Sequence, residues 1–192
     1  WRIYGLGQYA TISGLVYTDW ETVPAFPEDC KWIAYGLDFG YVNDETALIK
    51  IGYYDGALWL EELLYSLALT NQDISAELSR MGMSREDIIF ADSAEPKSIE
   101  DLRRQGWRVK ATIKGRDSVL NGIDVVRRYH LKITDKSLNL LNEIRGYKWE
   151  DDKATGKLKN VPLAYNNHLL DALRYGVTMK LGTGKKRIRA YG

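Results

Sequence analysis

The stretch Trp32-Ile-Ala-Tyr-Gly-Leu-Asp-Phe-Gly40 decides how this chain is read. Its β-branched and aromatic residues give it the composition of a buried strand, and it delivers Asp38 into a glycine-flanked turn. An ionised aspartate at the end of a central strand needs a partner, because desolvating it alone costs on the order of several kcal/mol. Taken by itself, Asp38 is better explained by backbone N–H bonds from the following turn than by a divalent metal. Only other carboxylates arriving at the same place reverse that balance.

Working outward, Trp32–Asp38, 46–53 and 57–64 read as three successive strands, and Tyr54-Asp55-Gly56 supplies hairpin-turn chemistry between the last two. Thr70 and Asp73 have capping-box spacing ahead of Ile74, Leu78 and Met81, which recur as in a helix up to Gly82. Asp87-Ile-Ile-Phe-Ala-Asp92 is a short apolar strand that again ends in an aspartate. Pro96 opens a helix that Gly106 stops, 107–113 reads as a further strand, and Val119, Ile123 and Val126 mark the next helix. A short strand at 131–134 and a helix through Leu138, Leu141 and Ile144 follow. Residues 147–165 lack helical period and read as a projecting hairpin or ordered loop. Asn167 is placed to cap a last helix, in which Leu170, Leu173 and Val177 form one row and His168, Asp171 and Tyr175 another.

A meander followed by alternating helices and strands predicts an α/β fold, a mixed central sheet flanked by helices, with the strands ending at Asp38 and Asp92 as neighbours. Both aspartates then leave the sheet at one edge, where the last helix adds Asp171. Three carboxylates in one place repel, and cations between them relieve the repulsion. That arrangement suits two-metal phosphodiester cleavage.

Composition narrows the chemistry. The 192 residues suit one domain, 45% of them hydrophobic and 28% charged, with no bilayer-length apolar run and no signal-peptide pattern, so a cytosolic protein with no membrane partner is expected. One cysteine, Cys30, and two histidines leave no usual zinc constellation, so a metal would sit on oxygen ligands, as magnesium or manganese does. Residues 1–100 carry 6 Lys/Arg against 17 Asp/Glu, and residues 101–192 carry 21 against 9. An acidic half that could hold cations is thus followed by a basic half that could hold polyanions, although two differently charged solvated faces explain the tally equally well.

The order Gly36-Leu-Asp-Phe-Gly-Tyr-Val-Asn-Asp-Glu-Thr-Ala47, Phe90-Ala-Asp-Ser-Ala-Glu-Pro-Lys-Ser-Ile99 and Asn167-His-Leu-Leu-Asp-Ala-Leu-Arg-Tyr175 resembles the C-terminal nuclease domain of the large terminase subunit of tailed bacteriophages. Trp1-Arg-Ile-Tyr-Gly-Leu-Gly-Gln8 with Gly14-Leu-Val-Tyr17 resembles the segment joining the ATPase to the nuclease in that family. The resemblance implies an RNase H-like (RuvC/integrase-like) fold and a metal-dependent endonuclease that cuts double-stranded, concatemeric viral DNA during packaging. It implies Asp38, Asp92 and Asp171 as ligands of two Mg2+ or Mn2+ ions. Asp44 is then a candidate further ligand, or else an Asx turn ahead of Thr46. His168 is a candidate catalytic residue orienting the attacking water or the phosphate, or else a structural hydrogen-bond partner. In the family an acidic residue often precedes that histidine; Asn167 stands here and is not taken as a ligand.

Lys114-Gly115-Arg116 precedes a helix N-terminus, where N–H groups and positive charge suit a DNA phosphate, or form a solvated turn. Trp149, Lys153, Lys157 and Lys159 are candidates for touching DNA, with Trp149 equally suited to anchoring its hairpin. No element reads as a base-specific recognition helix, so cutting is expected to be largely sequence-independent. The domain organisation expected is a connector over 1–30, the nuclease over 31–183 and a basic flexible tail over 184–192. No G-x-x-x-x-G-K-[ST] loop is present, so a motor domain is expected upstream of Trp1. The implied partners are that ATPase domain, a small terminase subunit and the portal of the prohead. The isolated domain is expected to be monomeric, in the host cytoplasm. Competing readings are a Holliday-junction resolvase or transposase, an actin- or sugar-kinase-like ATP-binding fold, and a silent DNA-binding module.

Overall fold

The structure, a computed structural model, describes residues 14–40, 44–152 and 158–182. Its elements follow in the order β1 (Trp20–Val23), β2 (Trp32–Asp38), β3 (Glu45–Tyr54), β4 (Ala57–Leu67), α1 (Asn71–Arg80), β5 (Ile88–Ala91), α2 (Pro96–Arg104), β6 (Arg108–Ala111), α3 (Ser118–Val126), β7 (Leu131–Thr134), α4 (Leu138–Gly146), β8 (Trp149–Asp151), β9 (Leu158–Pro162) and α5 (His168–Leu181). Strands β1 to β7 form one sheet in the order β1-β7-β4-β3-β2-β5-β6, in which β3 runs antiparallel to β2 and β4 and every other pair is parallel. The expected mixed sheet is present, with the strands carrying Asp38 and Asp92 as neighbours.

Local chemistry sets the boundaries. The β3–β4 hairpin turns at Asp55 and Gly56, both at positive φ, as a two-residue turn that matches strand twist requires. Thr70 and Asp73 close the capping box of α1, each side chain accepting the other residue's backbone N–H.

Alternation along the central strands feeds two cores. On one face Ile49, Ile51, Leu58 and Leu60 pack against Ile123, Leu141, Leu173 and Val177 of α3, α4 and α5. On the other, Tyr35, Leu37 and Leu48 pack against Ile74, Leu78, Ile99 and Leu102 of α1 and α2. Each such buried side chain contributes roughly 1.5–3 kcal/mol.

Two expectations change. The domain reaches back into the expected connector: Val16 and Tyr17 are buried in the main core, and β1 pairs in parallel with β7. Strand β6 is shorter than 107–113, because Thr112 to Asp117 leave the sheet as an irregular segment. Of the two forms expected for 147–165, the described residues show the hairpin, with β8 antiparallel to β9 and its base tied to Leu15 through a bridge to Lys148. Among the described residues no helix is long and apolar enough to cross a membrane. The expected tail over 184–192 lies outside the described residues.

Candidate active site

Asp38 is the last residue of β2 and Asp92 the first beyond β5, and the register Leu37 to Ala91 brings both carboxylates off the same edge. Helix α5 crosses directly over that place. It comes so close that a Cβ at Gly36 would run into the carbonyl of Ala172, so only glycine fits there. The crossing sets Asp171 and Tyr175 over the strand ends. The Tyr175 hydroxyl lies 3.2 Å from an Asp92 oxygen and 3.4 Å from an Asp38 oxygen, and its one proton serves one of them at a time. Burial, then the charges of Asp38, Asp171 and Asp92, push the Tyr175 phenol far up, so it stays a donor.

Each of the three aspartates meets its own cationic side chain. His168 Nδ1 lies 3.1 Å from Asp38 Oδ2, and its Nε2 lies 3.3 Å from Glu45. Lys114 Nζ sits 2.6 and 2.8 Å from the two oxygens of Asp92. Arg174 donates to Asp171 at 2.8 Å and lies across Gly122 of α3, while its Nε, like the Thr178 hydroxyl, is buried with no hydrogen-bond partner among the described residues. Burial, joined by the charges of Asp171 and Asp92, holds the Asp38 carboxyl above the ordinary range against the opposing His168. For Asp92 burial pushes the same way, but the Lys114 ammonium and the Ala94 N–H outweigh it and hold that carboxyl below the ordinary range. The bond to Asp38, helped by the charges of Asp38, Glu143 and Glu45, raises His168 against its own burial.

The expected trio therefore does share one rim, yet among the described residues no three acidic, histidine or cysteine side chains converge on a common point as they stand. Their charges turn to side-chain cations instead. In chemistry the residues fit a divalent ion: hard carboxylate oxygens, two of which raise the pKa of the third, with an imidazole at the side. Among the described residues of the turn, the Gly40 N–H goes to the Thr46 hydroxyl and not to Asp38.

The Asp44 side chain is exposed, and the acidic group that meets His168 is its neighbour Glu45, the first residue of β3. Strand parity carried that signal, since Glu45 alternates with Ala47, Ile49 and Ile51, which face α5. Asn167 occupies the cap position of α5 without a side-chain capping bond and bonds instead with Tyr147. The N–H groups of Leu169 and Leu170 are taken by Glu143 of α4, whose carboxyl burial pushes up to about 7. Glu143, Arg174 and the Tyr175 hydroxyl had no role in the sequence reading.

Of the candidate DNA contacts, Arg116 is exposed just ahead of α3, whereas Lys114 turns to Asp92. Trp149 is half-buried against the main core, the anchoring arrangement, and Lys159 faces Glu150 across the hairpin at 4.0 Å. Lys153 and Lys157 lie outside the described residues. A cleft of about 630 Å³ borders Phe39, Gly40, Asn71 and Glu95 on one side of the rim. A groove of about 400 Å³ between the start of α3 and β9 reaches Asp171 and Arg174 on the other.

With that geometry in hand, similarity to known proteins is specific. The chain is 31% identical over 151 residues to the terminase large subunit of Escherichia phage T5, covering 74% of this chain and 34% of that protein. It is 29% identical over 145 residues to the PBSX phage terminase large subunit of Bacillus subtilis strain 168, covering 74% and 33%. It thus spans about a third of the length of these relatives. The fold matches the large terminase nuclease domain of bacteriophage SPP1, solved with bound Mn, at a TM-score of 0.74 and 22% identity over 86% of this chain and 98% of that one. It also matches the P22 large terminase nuclease domain at a TM-score of 0.64 and 15% identity, over 88% and 93%. Residues 38–179 match the family described as "Terminase RNAseH like domain", so this chain belongs to the RNase H-like domain family of the large terminase subunit.

Proposed function

We propose that this domain is a metal-dependent endonuclease that cuts double-stranded viral DNA during genome packaging. The observation that carries the reading is that Asp38 and Asp92 both reach the Tyr175 hydroxyl at one sheet edge, with the charge of Asp171 acting on Asp38 and Tyr175 alike. These aspartates would hold Mg2+ or Mn2+ in a two-metal site, and the ions when bound activate a water and neutralise the leaving oxygen. Tyr175 holds Asp38 and Asp92 in register by sharing its proton between them. His168, wedged between Asp38 and Glu45, fixes the orientation of Asp38 and keeps a positive charge at the rim. Arg116 and the lysines Lys153, Lys157 and Lys159 supply sequence-independent contacts to phosphates, which makes binding strongly salt-dependent. In the whole protein the domain works beside a packaging ATPase, a small terminase subunit and a portal in the host cytoplasm.

The test is cleavage of supercoiled plasmid with and without metal. Nicking and linearisation are expected with Mg2+ or Mn2+, none in EDTA, and none from Asp38→Asn, Asp92→Asn or Asp171→Asn. Cutting that survives chelation, or that any of these variants retains at matched purity, rejects the proposal.

A further inference from the structure

The three cations at the rim differ in how firmly they are held. His168 is fixed through both ring nitrogens and keeps 19% of its side chain exposed. Arg174 keeps 8% exposed, lies over Gly122 and is locked on a helix interior. Lys114 is the exception: its side chain is 43% exposed, and it extends from the irregular segment that follows β6 at the edge of the sheet. Its ammonium nevertheless sits in contact with both oxygens of Asp92, where a shared ion would need those lone pairs. A flexible four-carbon stem lets such a group leave without disturbing the fold.

Resting on the nuclease reading above, we infer that Lys114 is a resident cation that occupies the Asp92 end of the metal site in the metal-free protein, and that an arriving divalent ion must displace it. Lysine and ion are alternatives at one carboxylate. The rim therefore stays charge-compensated without metal, at the cost of weaker metal affinity. Lys114 thus sets the ion concentration at which the site loads. Removing it should tighten metal binding, which is opposite to the effect of removing a metal-supporting residue.

The test is calorimetric titration of Mn2+ into the full chain, without DNA. Lys114→Met and Lys114→Gln should each bind Mn2+ about tenfold more tightly than wild type, the loss of one charge-assisted contact. Lys114→Arg, which keeps the charge, should stay near wild type. Arg116→Met removes an equal charge two residues away with no contact to Asp92, and should also stay near wild type. Unchanged affinity in both neutral Lys114 variants, or an equal gain in Arg116→Met, overturns the inference and leaves the nuclease reading standing. Absence of Mn2+ binding by wild type, or undiminished binding by Asp92→Asn, overturns that reading and this inference with it.

Discussion

The chain's two histidines make the same local bond pattern and end in different surroundings. His130 bridges Asp19 at 2.6 Å and Glu21 at 3.4 Å, where β1 meets β7. His168 bridges Asp38 at 3.1 Å and Glu45 at 3.3 Å, where α5 meets β2. Both imidazoles are raised by the carboxylates that bracket them. Beside His130, Lys132 pairs with Glu21, and the bond between the histidine and Asp19 is exposed. Around His168 stand the buried Glu143 and the edge of Tyr65, and its partner Asp38 also feels the charges of Asp171 and Asp92. A histidine between two carboxylates is therefore not a site; burial and further acidic groups beside it make it a candidate for one.

The comparison breaks most severely at Gly36. Gly36→Ala should lower stability by more than about 3 kcal/mol, because the new methyl meets backbone and not a movable side chain. A urea midpoint within error of wild type would contradict the crossing that gives His168 its surroundings.

Next comes the buried charge beside His168. The Glu143 carboxyl is raised from 4.5 to about 7, so its contribution to stability is present below pH 4.5 and lost as pH rises through about 7. Glu143→Gln lacks that loss. It should gain on wild type by on the order of 2–3 kcal/mol between pH 5 and 8 in parallel denaturations, whereas a constant offset would place the group at an ordinary pKa.

His168→Ala should slow plasmid cleavage by about 10- to 100-fold, while His130→Ala leaves it unchanged. Equal rates for the two variants would put both histidines in the same structural role. The smallest effect is spectroscopic. Mg2+ should lower the His168 pKa by about one unit as the ion takes over the charge of Asp38, leaving His130 unmoved in an NMR titration. A shift of both rings would mean a global change, not occupancy of the rim.

Much of this was legible in the chain. Trp32–Asp38 was readable as a buried strand from its composition, and the three aspartates from their place at element ends. The order of motifs around them selects the terminase family over a resolvase or a kinase-like fold, in agreement with the match over residues 38–179. What escaped the reading depends on pairing between distant segments. Strand β1 carries the polar residues Glu21 and Thr22 and gains its place only by adding to β7. Asp44 and Glu45 are adjacent and chemically alike, and parity along β3 is what turns Glu45 toward His168.

The sequence by itself determined the strand that ends in Asp38, the carboxylates that follow β5 and ride on α5, and the family, because these rest on residue type and local period. Tertiary structure alone decided which charges meet. Glu62 shares the face of Leu58 and Leu60 and holds the start of α4, and one extra residue at Leu63, opposite Leu48 and Ile49, then changes the facing of β4 so that Tyr65 meets His168 on that same face. The approach of α5 to Gly36 then sets Asp171 and Tyr175 over Asp38 and Asp92. Electrostatic partners are fixed by distances of a few ångströms between residues up to 137 positions apart, and no local pattern encodes such distances.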